Sequence, residues 1–180
     1  MLRALLALTL VAALAGCSAG STAYSSPSAD SITIGFSAAP ANLDFTRTDG
    51  AAIPQALLDN VYQGLVHLDA NGAIVPQLAT SWTVSPDRRT YDFQLRPGVT
   101  FTDGEPFTAD TVKFSIDRVR TDWTISLKSA MTVVDHVEAV DPRHARVVLK
   151  QPSNGWLFTM ASRVGAMFAP NGVRDLATTP

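Results

Sequence analysis

Apolar and polar positions alternate along this chain in several rhythms. From Ala4 to Leu14 the run is apolar except for Thr9. From Ser31 to Ser37 every second residue is apolar, with Ile32, Ile34 and Phe36 on one face, which predicts a first strand. Between Ala52 and Leu65 the apolar residues Ile53, Leu57, Val61 and Leu65 recur at four-residue steps, predicting an amphipathic helix. Val66 to Leu68 leads to a tight turn at Asn71-Gly72, and Pro76 to Thr80 reads as one short helical turn. Ser81–Val84 and Tyr91–Leu95 read as a hairpin closed near Ser85-Pro-Asp-Arg88.

The second half repeats the mixture. A loop around Asp103-Gly104 precedes a helix with Thr108 as its N-cap, Asp110 at its positive end and an apolar stripe of Val112, Ile116 and Val119. That helix should end near Arg120, with a shorter one at Ile125–Met131. A second hairpin follows, from Asp135–Val140 through a turn at Asp141–His144 to Ala145–Lys150, and Trp156–Ser162 packs as a short helix. Strands and helices are interspersed, so the fold class is α/β, with α+β the variant still open at this point.

Composition narrows the function. The chain has 180 residues, 46% of them hydrophobic, and a formal charge of −2, which argues against a nucleic-acid partner. One cysteine makes neither an internal disulfide nor a cysteine-based zinc site. The apolar content is high enough to exclude wholesale disorder.

The opening run is too short to span a bilayer but fits a signal-peptide core behind Arg3. Leu14-Ala15-Gly16-Cys17 resembles the bacterial lipobox, in which small residues admit the cleaving enzyme and the cysteine thiol accepts a lipid. Residues 1–16 are then a lipoprotein signal peptide, and residues 17–30 are lipidated Cys17 and a flexible Ser-rich tether. Residues 31–180 form the folded part. Loss of Arg3 leaves 13 basic against 16 acidic residues, a mature charge of −3. Gly16-Cys17-Ser18-Ala19-Gly20 also spells a nucleophile elbow, but it lies in a tether, where no strand-turn-helix can present the serine.

Several stretches, in order, carry a family resemblance. They are Pro40-Ala-Asn-Leu-Asp44, Leu58 to Leu68, Val75-Pro-Gln-Leu-Ala79 with Trp82, and the long run from Leu95 to Asp110 continuing into Val112, Phe114 and Ser115. Val137-Glu138, Val147 to Leu149 and Pro152 extend the series. Together they resemble the family-5 solute-binding proteins of ABC importers, extracytoplasmic receptors for peptides, nickel chelates and some oligosaccharides. The resemblance implies a periplasmic-binding-protein type II-like fold, of which this chain carries an incomplete first lobe. It also implies a non-enzymatic, lipid-anchored component that captures a solute, foremost an oligopeptide or dipeptide, then a metal chelate or sugar, and delivers it to ABC permease subunits. Family members are about three times as long, and a Gly-Thr-Gly-Pro-Tyr segment beyond this chain's last residue is missing here. The chain therefore reads as a truncated receptor, expected to bind solute weakly or not at all by itself.

The same resemblance nominates ligand-binding residues. Arg120-x-x-Trp123 and Arg163 match positions that contact a carboxylate-bearing metal chelate in the nickel-binding branch. Asn42, in the loop after the first strand, could hydrogen-bond a ligand backbone. Solvated arginines, a core Trp123 and an ordinary loop Asn42 are the competing readings. Trp82 and Trp156 read as packing residues. His67, His136 and His144 fit no metal-ligand spacing, although His136 and His144 could face each other across the second hairpin. No cofactor fingerprint is present. A surface-anchored hydrolase or a structural lipoprotein is the alternative function.

Overall fold

The computed structural model describes residues 35–173. Cys17, the signal peptide, the tether and most of the predicted first strand lie outside those residues. Of that strand, residues 35–37 are described, and they are not paired in a sheet.

The first helix, α1 (Ala52–Leu57), is much shorter than its apolar spacing predicts. Leu58 is already extended, and Asp59 takes a positive φ of 64°, which no helix accommodates. Its N–H donates to the Tyr62 carbonyl at 2.8 Å, closing a tight reversal. Val61, counted into the helical stripe, is 65% exposed. Leu65 is fully buried, but as the residue that leads into a strand.

That strand, β1 (Val66–Leu68), pairs antiparallel with β2 (Ile74–Pro76) across the turn at Gly72, whose φ is 79°. No helical turn follows at Pro76–Thr80. Gln77 and Ala79 instead donate their N–H groups to the Leu65 carbonyl at 3.1 and 3.0 Å, stitching the segment beside β1. Proline at 76 has no N–H to spend on a helix and suits a strand end.

Four further strands form one antiparallel sheet: β3 (Ala79–Val84), β4 (Thr90–Leu95), β5 (Val134–Asp141) and β6 (His144–Leu149), in the order β3-β4-β6-β5. Both predicted hairpins are present, and β4 joins them by pairing Phe93 with Ala145 and Tyr91 with Val147. Along β4 and β6 alternate residues are buried, as the two-residue period demands: Tyr91, Phe93 and Leu95, then Ala145, Val147 and Leu149. The helix α2 (Ala109–Thr121) covers this inner face with Val112, Ile116 and Val119. Each such side chain contributes about 1.5–3 kcal/mol on burial. Thr108 enters α2 extended and donates its N–H to Thr111 Oγ1 at 3.0 Å, and Asp110 lies in the first turn.

A 3₁₀ turn (Ser126–Met131), the helix α3 (Trp156–Met160) and a second 3₁₀ turn (Arg163–Gly165) complete the elements. Trp156 sits in the core against Tyr91, ring centroids 4.7 Å apart, whereas Trp82 on edge strand β3 is half-buried. The two histidines do not face each other. His136 is opposite Val148, and His144 is opposite Asp141. A register shift between Val134 and His136, and another between Ala139 and Asp141, sets the offset.

Candidate functional site

A groove of about 560 Å³ opens among the loops beside α2. Four stretches supply most of its lining, Leu43–Thr46, Asp59–Gln63, the loop Val99–Asp103 with Phe107, and Met167–Ala169 with Gly172 and Val173, and Leu78 adds to it. Arg118 reaches it from α2.

Each stretch is fixed by its own short-range chemistry. Asp44 Oδ1 accepts from Thr46 N–H at 2.9 Å and from the Thr46 hydroxyl at 2.6 Å, a self-contained turn. Gln77 braces the next wall, donating from Nε2 to Asp59 Oδ1 and accepting the Gly64 N–H on Oε1, both at 2.8 Å. In the third wall Asp103 Oδ1 accepts the Glu105 N–H at 3.0 Å, and Gly104, at φ 89°, lets the loop return. The fourth is held to α2: buried Ser115 gives its proton to the Thr111 carbonyl at 2.7 Å and accepts the Phe168 N–H at 2.9 Å.

The walls are aromatic. Phe45 meets Tyr62 edge-on at 5.2 Å and Trp123 at 5.6 Å, and Tyr62 meets Phe168 at 5.1 Å. Such contacts give a rigid apolar surface, since each ring is held by two neighbours. At one side the Arg118 guanidinium lies over Phe168, its central carbon 5.1 Å from the ring centroid. Burial pulls its pKa below the ordinary guanidinium value, and the nearby Asp122 and Asp44 charges act against that. Asp44, Asp59 and Asp103 make the lining acidic on balance. An apolar groove with a few charged groups is suited to hold a small solute with both an apolar body and polar ends.

The residues nominated from sequence lie around this groove without lining it, Trp123 directly behind its walls Phe45 and Phe168. Asn42 is exposed and braces its own loop, accepting the Asp44 N–H at 2.9 Å and donating to the Thr48 hydroxyl at 3.0 Å. Arg120 pairs with Asp117 at 3.0 Å and donates to the Asp135 carbonyl at 2.9 Å. Trp123 is buried in the aromatic cluster. Arg163 is buried, donating to Asp49 at 3.2 Å and to the Thr48 and Gly50 carbonyls at 3.4 Å each. None of the four is among the residues lining the groove. Arg118, two positions before Arg120, is the arginine that is, and no spacing rule distinguishes the two on sequence.

A second charged cluster lies on the sheet's outer face. Asp92 accepts from His144 at 2.7 Å and from Arg146 at 2.9 Å, while His136 lies between Asp135 at 2.9 Å and Glu138 at 3.0 Å. Burial pushes the Asp92 carboxyl up, but the bonds from Arg146 and His144 outweigh it and hold its pKa below the usual carboxylate value. The Asp92 pairs cross from β4 to β6, whereas the His136 pairs run along β5 itself, and among the described residues no group of three or more His, Cys, Asp or Glu is arranged to hold a metal.

Residues 73–179 match the family described as bacterial extracellular solute-binding proteins, family 5 Middle, over more than half of the chain. The glutathione-binding protein GsiB of Escherichia coli (strain K12) is 37% identical over 120 residues, which is 66% of this chain and 23% of that protein. Among solved structures, NikZ from Campylobacter jejuni in complex with Ni(L-His) is 31% identical with a TM-score of 0.59, over 71% of this chain and 25% of that one. The murein tripeptide binding protein MppA of Escherichia coli is 26% identical with a TM-score of 0.67, over 79% and 31%. These neighbours have the type II periplasmic binding protein fold, of which this chain forms a part. The chain spans about a quarter of the length of the curated relatives it matches, 23% in the case of GsiB.

Proposed function

The chain belongs to the bacterial extracellular solute-binding proteins of family 5, and from that premise we propose that it serves the substrate-binding component of an ABC importer. In this reading Cys17 carries a lipid that holds the protein on the outer side of the cell membrane. The folded part captures a solute and presents it to permease subunits. Its action is binding and release, with no bond made or broken.

The groove carries the proposal. Its volume lies within the range of small-ligand sites, and its aromatic walls come from loops fixed by their own hydrogen bonds, so little order is lost on binding. A short peptide supplies what those walls need: apolar side chains for Phe45, Tyr62 and Phe168, and charged ends for the acidic residues and Arg118. Two of the similar proteins bear names that speak of a peptide ligand, glutathione and a murein tripeptide. A metal chelate, as bound by NikZ, is the next class to try.

The test is a titration of the isotopically labelled chain with di- and tripeptides, followed by NMR and mass spectrometry. Resonances of Phe45, Tyr62 and Phe168 should shift, with a dissociation constant of about 1 mM, weak because the groove is one surface and not an enclosure. The peptide should be recovered intact. Absence of shifts at about 20 mM peptide would count against the proposal, and cleaved peptide would point to a hydrolase instead. Metabolic labelling with a lipid analogue, lost in Cys17→Ser, tests the anchor.

A further inference from the structure

We infer that Arg118 is the anchor for a carboxylate group on the solute that occupies the groove, an inference that rests on the solute-binding reading. Arg118 lines the groove, and 13% of its side chain stays exposed. The ring of Phe168 fixes the guanidinium, and its Nη1 is buried with no hydrogen-bond acceptor among the described residues. The nearest carboxylate, Asp122, is exposed and lies 3.9 Å from Nε, beyond hydrogen-bond reach.

The acids around the groove differ in this respect. Asp44, Asp59 and Asp103 each have an oxygen engaged by Thr46, Gln77 and Glu105 respectively. The negative charges are therefore built into turns, while the positive charge has an unused donor. A guanidinium is a planar fork that takes a carboxylate through two parallel N–H bonds. Here the fold has already stripped water from the cation and set its plane. An arriving carboxylate gains the pair without the dehydration and ordering that an exposed arginine would need. The acidic lining also disfavours a multiply charged anion, so a solute with one carboxylate and an ammonium group fits best. A peptide with a free C-terminus has that chemistry.

The tripeptide Ala-Leu-Ala and its C-terminal amide separate this inference from the reading beneath it. Titrated into the labelled full chain, the free acid should bind at least about tenfold more tightly than the amide, in keeping with a charge-assisted pair. In Arg118→Met the acid-to-amide ratio should shrink to less than about twofold, and Arg118→Lys should keep part of it. Equal binding of acid and amide to the native chain, with shifts at Tyr62 and Phe168, would overturn the inference and leave the solute-binding reading standing. No shift from either peptide would overturn both. Should Arg118→Met fail to fold, the acid–amide comparison on the native chain still decides.

Discussion

Gly165 stands so close to Met160 that a β-carbon on it would lie 1.8 Å from the Met160 carbonyl oxygen. The helix α3 ends there, and the 3₁₀ turn Arg163–Gly165 folds back across its last carbonyl before the chain runs on to Phe168. Gly165→Ala should therefore force the two segments apart. The expected loss is about 3 kcal/mol or more, at the upper end for overpacking because the obstacle is backbone and cannot rotate away. Urea denaturation measures it. A loss under about 1 kcal/mol would show that the turn can move.

Ser115 holds Phe168 from beneath. Replacing it with alanine leaves the buried Phe168 N–H, now bonded at 2.9 Å, with nothing to donate to. Stability should fall by about 1–3 kcal/mol, the cost of one unsatisfied buried donor. Because Phe168 is a wall of the groove, peptide affinity should fall in the same variant. Unchanged hydrogen exchange at the Phe168 amide would contradict this account.

His136 makes stability depend on pH. The bonds to Asp135 first and Glu138 second raise its pKa above the ordinary value. A raised folded-state pKa means that the charged pairs stabilise the protein fully below the unfolded value of about 6.5, and that this is lost as pH rises through the folded value. The side chain is 47% exposed, so screening limits the effect to roughly a few tenths of a kcal/mol. His136→Gln should be less stable than the native chain near about pH 5.5 and equal to it near about pH 8.5. Paired urea midpoints at those two values read the difference. A gap that persists at the higher pH would assign it to packing.

Arg163 ties the loop before α1 to the far end of the chain through Asp49, Thr48 and Gly50. A lysine keeps the charge but cannot serve three acceptors in the same plane. Arg163→Lys should cost about 1–3 kcal/mol and raise proteolysis at residues 48–51, whether or not peptide is present. If peptide protects the native chain at that site but not the variant, Arg163 has a ligand-linked role as well.

Local signals were easiest to read. α2 could be placed from Thr108, Asp110 and the Val112-Ile116-Val119 stripe, because cap, charge and period agree within one stretch. Both hairpins were legible because their turn residues and alternation coincide. The segment Ala52–Leu65 shows how periodicity misleads. Ile53 and Leu57 are buried by α1, but Leu65 is buried beside β1, and Val61 lies exposed at the groove. A four-residue spacing cannot reveal the positive φ at Asp59 that breaks the series. The groove was hidden for a different reason. Its walls are spread along the chain from Leu43 to Val173, and what singles out Arg118 from Arg120 is three-dimensional: Arg120 finds an aspartate and a carbonyl, whereas Arg118 finds an aromatic ring and, among the described residues, no acceptor for Nη1.

The strand order β3-β4-β6-β5 also governs how the protein reaches this state. Each hairpin closes over a short turn and can form within microseconds. The pairing that unites them, β4 with β6, joins residues 50 to 58 positions apart, from Gln94–His144 to Thr90–Val148. That loop must close before the contact rewards it, and α2, which lies between the two hairpins in the chain, has to be in place as the sheet zips. The expected slow step of folding is therefore a meeting of two preformed ribbons. Substitutions at Phe93 or Ala145, where the ribbons touch, should slow refolding, whereas changes in the Ser85–Arg88 turn should alter it little.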